Sequence, residues 1–401
     1  MKRLPHTCFR LLLLLLPTLL FIASCRPVSD LSRDDSPRIP PSIQVQEGTV
    51  PFDDLDLPSL EKAIAVSIQY YRSRGAEETH CLRDRCYSAV EMISGLESFL
   101  KIMKSDLSAV AKERVIRAEF EIVAADEDTV FTGYYEPILN GSLTRTERCR
   151  YPLYRIPEET VVIRLDRFEG TWGQGRLIGR LDKGEVLPHF SRRQIDSQGV
   201  LAGRGLEIAW VDDPVDLFSL HIQGSGKIRL ADGRQIAVNY AQSNGRPFRG
   251  LTGMMASRGL LAEGERSYEQ MKRVLRERPE ERQELMNYNQ RYIFFRIVPE
   301  GPLGALGLTL VPERSIATDL DLYPKGALAM IETRKPVFAD DGRILSWQPF
   351  SRLVLNHDTG AAIKGPGRVD LFCGTGPVAE RTAGAMKEKG RMFFILKRSD
   401  Q

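Results

Sequence analysis

Asp358 and Asp370 fall within the run His357 to Gly376, HDTGAAIKGPGRVDLFCGTG, which holds five glycines and one proline. Carboxylates in so tight a loop are placed to move protons or to hold backbone amides. Four other motifs add polar groups: FTGYYEP (131–137), HIQGSG (221–226), YAQSNG (240–245) and TDLDLYPKG (318–326). Together they offer carboxylates, hydroxyls, amides and aromatic rings, the equipment of a carbohydrate-binding groove. Sugar hydroxyls bond to Asn, Gln and Asp, and the apolar faces of sugar rings lie on Tyr and Phe. Each motif is weak alone, and Gly224-Ser225-Gly226 by itself reads as a plain loop. Their joint order is the specific signal. Five histidines give no zinc-ligand spacing, and His357 beside Asp358 is a single pair, so no metal and no cofactor is expected. Gly224-Ser225-Gly226 opens no helix, so no nucleotide fingerprint is present.

The elements that must position these residues change character along the chain. Residues 58–125 predict helix, with Leu60, Ile64, Ile68 and Tyr71 on one face, a stop at Gly75, and a second stripe of Val90, Ile93, Leu96, Leu100 and Met103. Both stripes read as core packing. From Thr129 to Pro137 the β-branched and aromatic residues predict a strand, as do Leu217 to Gln223 and Lys227 to Leu230. Phe131 and Tyr134 are expected in the core. Asp232-Gly233 is a hairpin turn before Gln235 to Tyr240. Helix returns over 267–287, capped by Ser267 with Gln270 and interrupted at Pro279. Residues 305–397 read as short strands (Ala327 to Glu332, Arg352 to Asn356, Met392 to Lys397) between glycine turns, which points to a barrel rather than a doubly wound sheet.

The N-terminus carries an address. Lys2, Arg3 and Arg10 precede the apolar runs Leu11 to Leu16 and Leu19 to Ile22, and Ile22-Ala23-Ser24-Cys25 follows. The apolar core is shorter than the roughly 20 residues that span a bilayer, so residues 1–24 read as a signal peptide. The small residues before Cys25 resemble a bacterial lipobox, which implies cleavage before Cys25 and lipidation of its thiol. An ordinary secretory signal is the alternative. Arg26, not an aspartate, follows the cysteine and favours an outer-membrane lipoprotein facing the periplasm. Residues 25–50, with Pro27, Pro37, Pro40 and Pro41, read as a disordered tether. Removing residues 1–24 takes three basic residues from 56 and leaves 53 basic and 53 acidic side chains. That neutral balance argues against a nucleic-acid partner. Cys81 and Cys86 are either a small-loop disulfide or, if their segment is helical, two thiols facing different sides.

The order of the motifs resembles the membrane-bound lytic transglycosylase A family from about Phe131 to the C-terminus. The resemblance rests on FTGYYEP, YPLYRIP (151–157), LAGRGLEIAW (201–210), DDPVDLFSLHIQGSG (212–226), Tyr292 to Phe295, GALG (304–307) and KGPGRVDLFCGTG (364–376). It implies a mainly β fold with N-terminal helices. A double-psi β-barrel, the C-terminal 3D domain, would be built from 51–137 and 293–401, with a second β domain inserted at 138–292 and a groove between them. It also implies a lytic exotransglycosylase that cuts the β-1,4 bond between N-acetylmuramic acid and N-acetylglucosamine in peptidoglycan and leaves a 1,6-anhydromuramyl end. The partners implied are glycan strands, the membrane through Cys25, and complexes of cell-wall synthesis or hydrolysis.

By the same resemblance Asp370 is the catalytic acid, Asp358 its close neighbour and Asp319 a structural member. One essential carboxylate makes chemical sense. Most glycosidases need an acid together with a base or nucleophile, but here the C6 hydroxyl of the sugar serves as nucleophile. Asp370 would then need to hold a proton near neutrality, against an ordinary value of about 3.9. Burial and a like charge at Asp358 would both raise it. Thr132, Tyr135, Glu136, Gln223, Ser225, Asn244 and Thr375 are expected to line the groove, and Lys364 to reach an acetyl or lactyl group. Two departures stand out. Ala361 replaces the second glycine of Asp-Thr-Gly-Gly, which matters if that position needs positive φ, and Cys373 replaces an aromatic. A catalytically silent peptidoglycan-binding lipoprotein is the reading from another class.

Overall fold

A computed structural model describes residues 53–76, 78–125, 129–169, 175–262 and 267–398. The signal peptide, Cys25 and the tether expected before residue 51 lie outside the described residues. Helix α1 (Leu57–Arg72) starts where Asp56 Oδ1 accepts the Ser59 amide at 2.8 Å and Pro58 occupies the first turn. It buries Leu60, Ala63, Ile64, Ser67, Tyr70 and Tyr71 along one face. Helix does not then run on to residue 125. Strands β1 (Thr79–Leu82) and β2 (Arg85–Ser88) form a hairpin that sets Cys81 opposite Cys86, and the two are joined as a disulfide. Helix α2 (Ala89–Lys104) opens with a capping box between Ser88 and Glu91. Its buried line is Met92, Leu96, Phe99 and Ile102, rotated from the expected stripe, and Val90 is 59 % exposed. The rotation lets Phe99 meet Phe120 edge-on. Helix α3 (Ala109–Glu119) leads into β3 (Phe120–Ala124) and β4 (Thr129–Glu136).

After β4 the chain leaves to build a second β region. It comprises β5 (Ile138–Ser142), β6 (Tyr151–Tyr154), β7 (Thr160–Arg164), β8 (Arg176–Asp182), β9 (Glu185–Pro188), β10 (Glu207–Val211), α4 (Pro214–Gln223), β11 (Ser225–Arg229), β12 (Gln235–Ser243), α5 (Leu251–Ser257), α6 (Tyr268–Glu277), α7 (Pro279–Asn287) and β13 (Ile293–Val298). Six strands join in the order β13-β12-β11-β5-β10-β6, and β7-β8-β9 make a separate small sheet. Leu217 to Gln223, expected as a strand, is helix. Asp213 Oδ1 caps the amide of Val215 at 2.7 Å, Pro214 fits the first turn, and Gly224 ends the helix at φ 80°. An apolar run buried on several sides has no period that separates the two states. The turn at Asp232-Gly233 links β11 to β12 in register, and Ser267 caps α6 as expected.

The chain returns through β14 (Ser315–Ala317), β15 (Leu328–Phe338), β16 (Ile344–Asp358), β17 (Arg368–Thr375), α8 (Pro377–Ala385) and β18 (Lys387–Lys397). Hydrogen bonding runs β15-β16-β14-β17-β4-β18 and closes from β18 back to β15, a six-stranded barrel with β3 added outside β18. Two neighbouring pairs, β14 with β16 and β17 with β4, are parallel, and the remaining four are antiparallel. This is the double-psi barrel, mainly β with N-terminal helices. Several of its strands are long, 15 residues in β16 and 11 in β15 and β18. Closure removes the exposed edges that an open sheet of this length would present. One apolar core fills the barrel and takes in the buried faces of α1 and α2.

Two buried arginines tie the entering chain to this barrel. Arg314, fully buried, bonds Asp53 Oδ1 at 2.7 Å, the Asp56 carbonyl at 2.9 Å and the Leu353 carbonyl at 2.7 Å. Arg352 grips both carboxylate oxygens of Asp54 at 2.7 and 2.8 Å and also pairs with Glu313. Removing one partner of such a buried pair strands a charge and costs about 3–5 kcal/mol.

Candidate active site

The barrel register puts the two aspartates in one row. Ala317 on β14 faces Asp358 on β16 and Asp370 on β17, and Asp370 faces Thr132 on β4. Side chains of residues paired in this way leave the sheet on the same side. Ala317, whose side chain is a single methyl group, is paired with both of them. The twelve-residue separation in sequence thus becomes a separation of two strands.

Their partners differ. Asp358 is saturated: Oδ1 accepts the amides of Ala305 and Thr359, each at 2.9 Å, and Oδ2 accepts the Tyr134 hydroxyl at 3.0 Å. Asp370 accepts the Thr132 hydroxyl on Oδ1 at 2.7 Å, and Oδ2 has no donor among the described residues. Thr132 is itself 3.3 Å from the Arg368 guanidinium. Burial pushes Asp358 up to about 6 against its three donors, and the charge of Asp370 adds to the rise. Burial likewise pushes Asp370 up to about 6, opposed by Thr132 and Arg368. The arrangement holds one carboxyl by both oxygens and leaves the other with an open oxygen that carries a proton near pH 6. That is the equipment of a general acid that can return as a base.

The loop from Pro299 to Leu310 supplies the Ala305 amide. A Cβ on Gly304 would come within 2.7 Å of the His357 carbonyl, so a glycine there lets the loop close onto Asp358. His357 points to the other side of β16 from Asp358. It lies between Ser67 Oγ (3.0 Å) and Ser315 Oγ (2.8 Å), and burial pushes it down to about 3, which makes it a neutral scaffold group.

Residues 130–296 match the family described as MltA specific insert domain, and residues 314–396 match the 3D domain. The lytic transglycosylase LtgG of Burkholderia pseudomallei is 30% identical, with 87% of this chain and 95% of that one covered and a TM-score of 0.51. The chain belongs to the membrane-bound lytic murein transglycosylase A family. A membrane-bound lytic murein transglycosylase from Agrobacterium tumefaciens superposes with a TM-score of 0.70 at 29% identity, covering 87% of this chain and 97% of that one. Membrane-bound lytic murein transglycosylase A of Escherichia coli K12 is 29% identical over 268 residues, 66% of this chain, and the match spans 65% of that relative's length.

The transglycosylase A motifs do not all converge on the aspartate row. The resemblance implies Tyr135 in the groove and Tyr134 is expected in the core, but the structure turns Tyr135 into the core and Tyr134 toward Asp358. Thr132 and Tyr134 share one face of β4, so Tyr135, 1 % exposed, points into the core while Tyr134 reaches Asp358 and packs on Phe372 at 5.2 Å. The period of two, applied from Thr132, would have found this. Phe131 is core, as expected. Asn244 is also corrected. Its Nδ2 bonds the carbonyls of Phe190 and Gln290 and its Oδ1 accepts the amides of Arg246 and Tyr292, so its polar atoms are engaged by backbone.

The remaining expected residues occupy three places. Gln223 Oε1 accepts the Tyr135 amide at 3.1 Å, tying α4 to β4, and Ser225 is buried at the start of β11. Glu136 and Thr375 lie together at the far end of β4 and β17, with Thr375 Oγ1 donating to Glu136 Oε2 at 2.7 Å. Asp319 holds a loop: Oδ2 accepts the Gly365 amide at 2.9 Å and Oδ1 meets Lys364 Nζ at 2.8 Å. Lys364 also pairs with Asp321 at 3.0 Å, so its ammonium is engaged by carboxylates. Ala361 is exposed and is not among the residues with positive φ, so its methyl meets no backbone strain. Cys373 is buried, and its Sγ lies where a Cβ on Gly133 would be 3.0 Å away, on the side of β17 opposite Asp370.

Proposed function

We propose that this protein is a lytic transglycosylase of peptidoglycan that cleaves the β-1,4 bond between N-acetylmuramic acid and N-acetylglucosamine without water. The observation that carries the reading is an asymmetry of hydrogen bonding: both carboxyls are raised to about 6, but Asp358 is held on both oxygens by three donors, whereas Asp370 is held on Oδ1 alone and its Oδ2 is open. In the first step Asp370 Oδ2 gives its proton to the glycosidic oxygen as the bond from that oxygen to C1 of muramic acid breaks. In the second, the C6 hydroxyl of the same sugar attacks C1 and returns its proton to Asp370. The new C1–O6 bond is the 1,6-anhydro ring, and the acid is regenerated. No nucleophilic carboxylate and no water need be placed, unlike the usual pair of roles. Asp358 sits two strands away in the same row, where its carboxylate form would favour the positive charge developing at C1. Membership of a family with relatives named lytic murein transglycosylases supports the same chemistry.

The lipobox reading extends the proposal to an outer-membrane lipoprotein anchored through Cys25 and facing the periplasm, where it meets glycan strands and complexes of wall synthesis or hydrolysis. Digestion of purified sacculi, with products read by mass spectrometry, tests the activity. Anhydromuropeptides are expected. Reducing-end products would make it a hydrolase, and bound sacculi without products would make it a binding lipoprotein. Loss of radiolabelled palmitate from a Cys25→Ala variant tests the anchor.

A further inference from the structure

Strand β4 carries Thr132 beside Asp370 and ends at Glu136, about 13 Å further along. A separate cavity of about 280 Å³ opens there, lined among others by Lys227, Gln235, Ala237, Glu300, Gly301 and Thr309. The register of β11 with β12 sets Lys227 opposite Ala237, and Gln235 two residues before it, so the three share one face of the inserted sheet. The opposite wall is the loop from Pro299 to Leu310. Asn239 clamps that loop through the Leu303 amide (2.8 Å) and carbonyl (3.2 Å), and two residues later Ala305 gives its amide to Asp358.

Lys227 is the cation of the cavity. Its side chain is 31% exposed, and its ionic partner, Glu136, stands at 3.7 Å. Glu136 is fully buried, its Oε1 has no partner among the described residues, and burial pushes its carboxyl up toward the neutral form. An ammonium so weakly matched keeps donors for a ligand. No aromatic ring is among the cavity's lining residues, so the platform on which a sugar would stack is missing there. Glu300 beside a single lysine disfavours a phosphate dianion. A cation on one wall with a carboxylate on the other suits a ligand carrying both charges.

Resting on the transglycosylase reading, we propose that this cavity binds a carboxylate-bearing peptide, the stem carried by a muramic acid beside the cleaved bond. Lys227 Nζ meets a stem carboxylate, and Glu300 accepts from a stem ammonium. The loop that forms the wall then links stem recognition to the Ala305 amide on Asp358.

The test compares sacculus-derived glycan strands that keep their stems with the same strands stripped by an amidase. Wild-type protein is expected to show a lower KM for the stem-bearing strands. Lys227→Gln should raise that KM about tenfold, the size of one charge-assisted hydrogen bond, while cleavage of stripped strands is unchanged and Lys227→Arg restores the preference. An equal rise on both substrates, or no preference in the wild type, overturns the proposal. Calorimetric titration with a soluble muramyl peptide reads the cavity without catalysis, and equal affinity of the wild-type and Lys227→Gln proteins also overturns it. If neither strand is cut while the peptide binds through Lys227, the enzyme reading fails and the peptide site stands.

Discussion

Three aspartates sit on one barrel, and two regions treat them in opposite ways. In the loop region Asp319 accepts from Lys364 and from the Gly365 and Asp321 amides, and these partners outweigh burial and hold its carboxyl below the usual range. In the aspartate row no cation is bonded to either carboxyl, and burial wins, taking Asp358 and Asp370 to about 6. Proton storage on this barrel thus goes with carboxylates that have no directly bonded cation, since Arg368 reaches Asp370 only through Thr132. Asp319 keeps its charge and fixes a loop, whereas Asp370 can give a proton and take it back.

The largest effect should come from Asp370→Asn, which removes the transferable proton and keeps the shape. Anhydromuropeptide release should fall by about 10²–10⁴, and retention of activity would dissolve the distinction between the two regions. Tyr134→Phe takes one of three donors from Asp358 and should lower kcat/KM about tenfold. Its carboxyl would rise further, visible as a shifted carboxyl resonance in NMR titration. The free-enzyme rate should decline as pH rises through about 6, where Asp370 loses its proton.

Stability should split the regions as well. For Asp370 the folded pKa is above the unfolded one, so stability falls as pH rises from about 4 to 6. Asp370→Asn should therefore raise the unfolding free energy by about 1–2 kcal/mol at pH 8 and leave it unchanged at pH 3.5. Asp319 has the reverse sign: its contribution is present above the unfolded pKa and is lost as pH falls through its lowered value. Lys364→Met should show the smallest effect, a loss of about 0.5–1 kcal/mol at pH 7, because that lysine is largely exposed. Its pH–rate limb should stay where it is in the wild type.

Residue types and their spacing foretell much of this. Glycines and aspartates in one run mark the row, Asp232-Gly233 marks a hairpin, and β-branched and aromatic residues mark β4. Direction and context stay hidden at that level. Tyr134 and Tyr135 are chemically identical, and only the alternation counted from Thr132 decides which one meets Asp358. Asn244 looks like a sugar ligand until its four backbone partners are known. Leu217 to Gln223 has the composition of a strand, and its helical state is announced only by Asp213-Pro214 before it. Cys81 and Cys86 face each other because a hairpin interrupts a segment that reads as helix.

The grip of Arg314 and Arg352 on Asp53, Asp54 and Asp56 has a mechanical side. A pull on the chain ahead of Asp53 meets these ion pairs first. They hand the force to two barrel walls, to β16 through Arg352 and, through Arg314, to the turn that opens β14. The load is divided among several short bonds to residues distant in sequence.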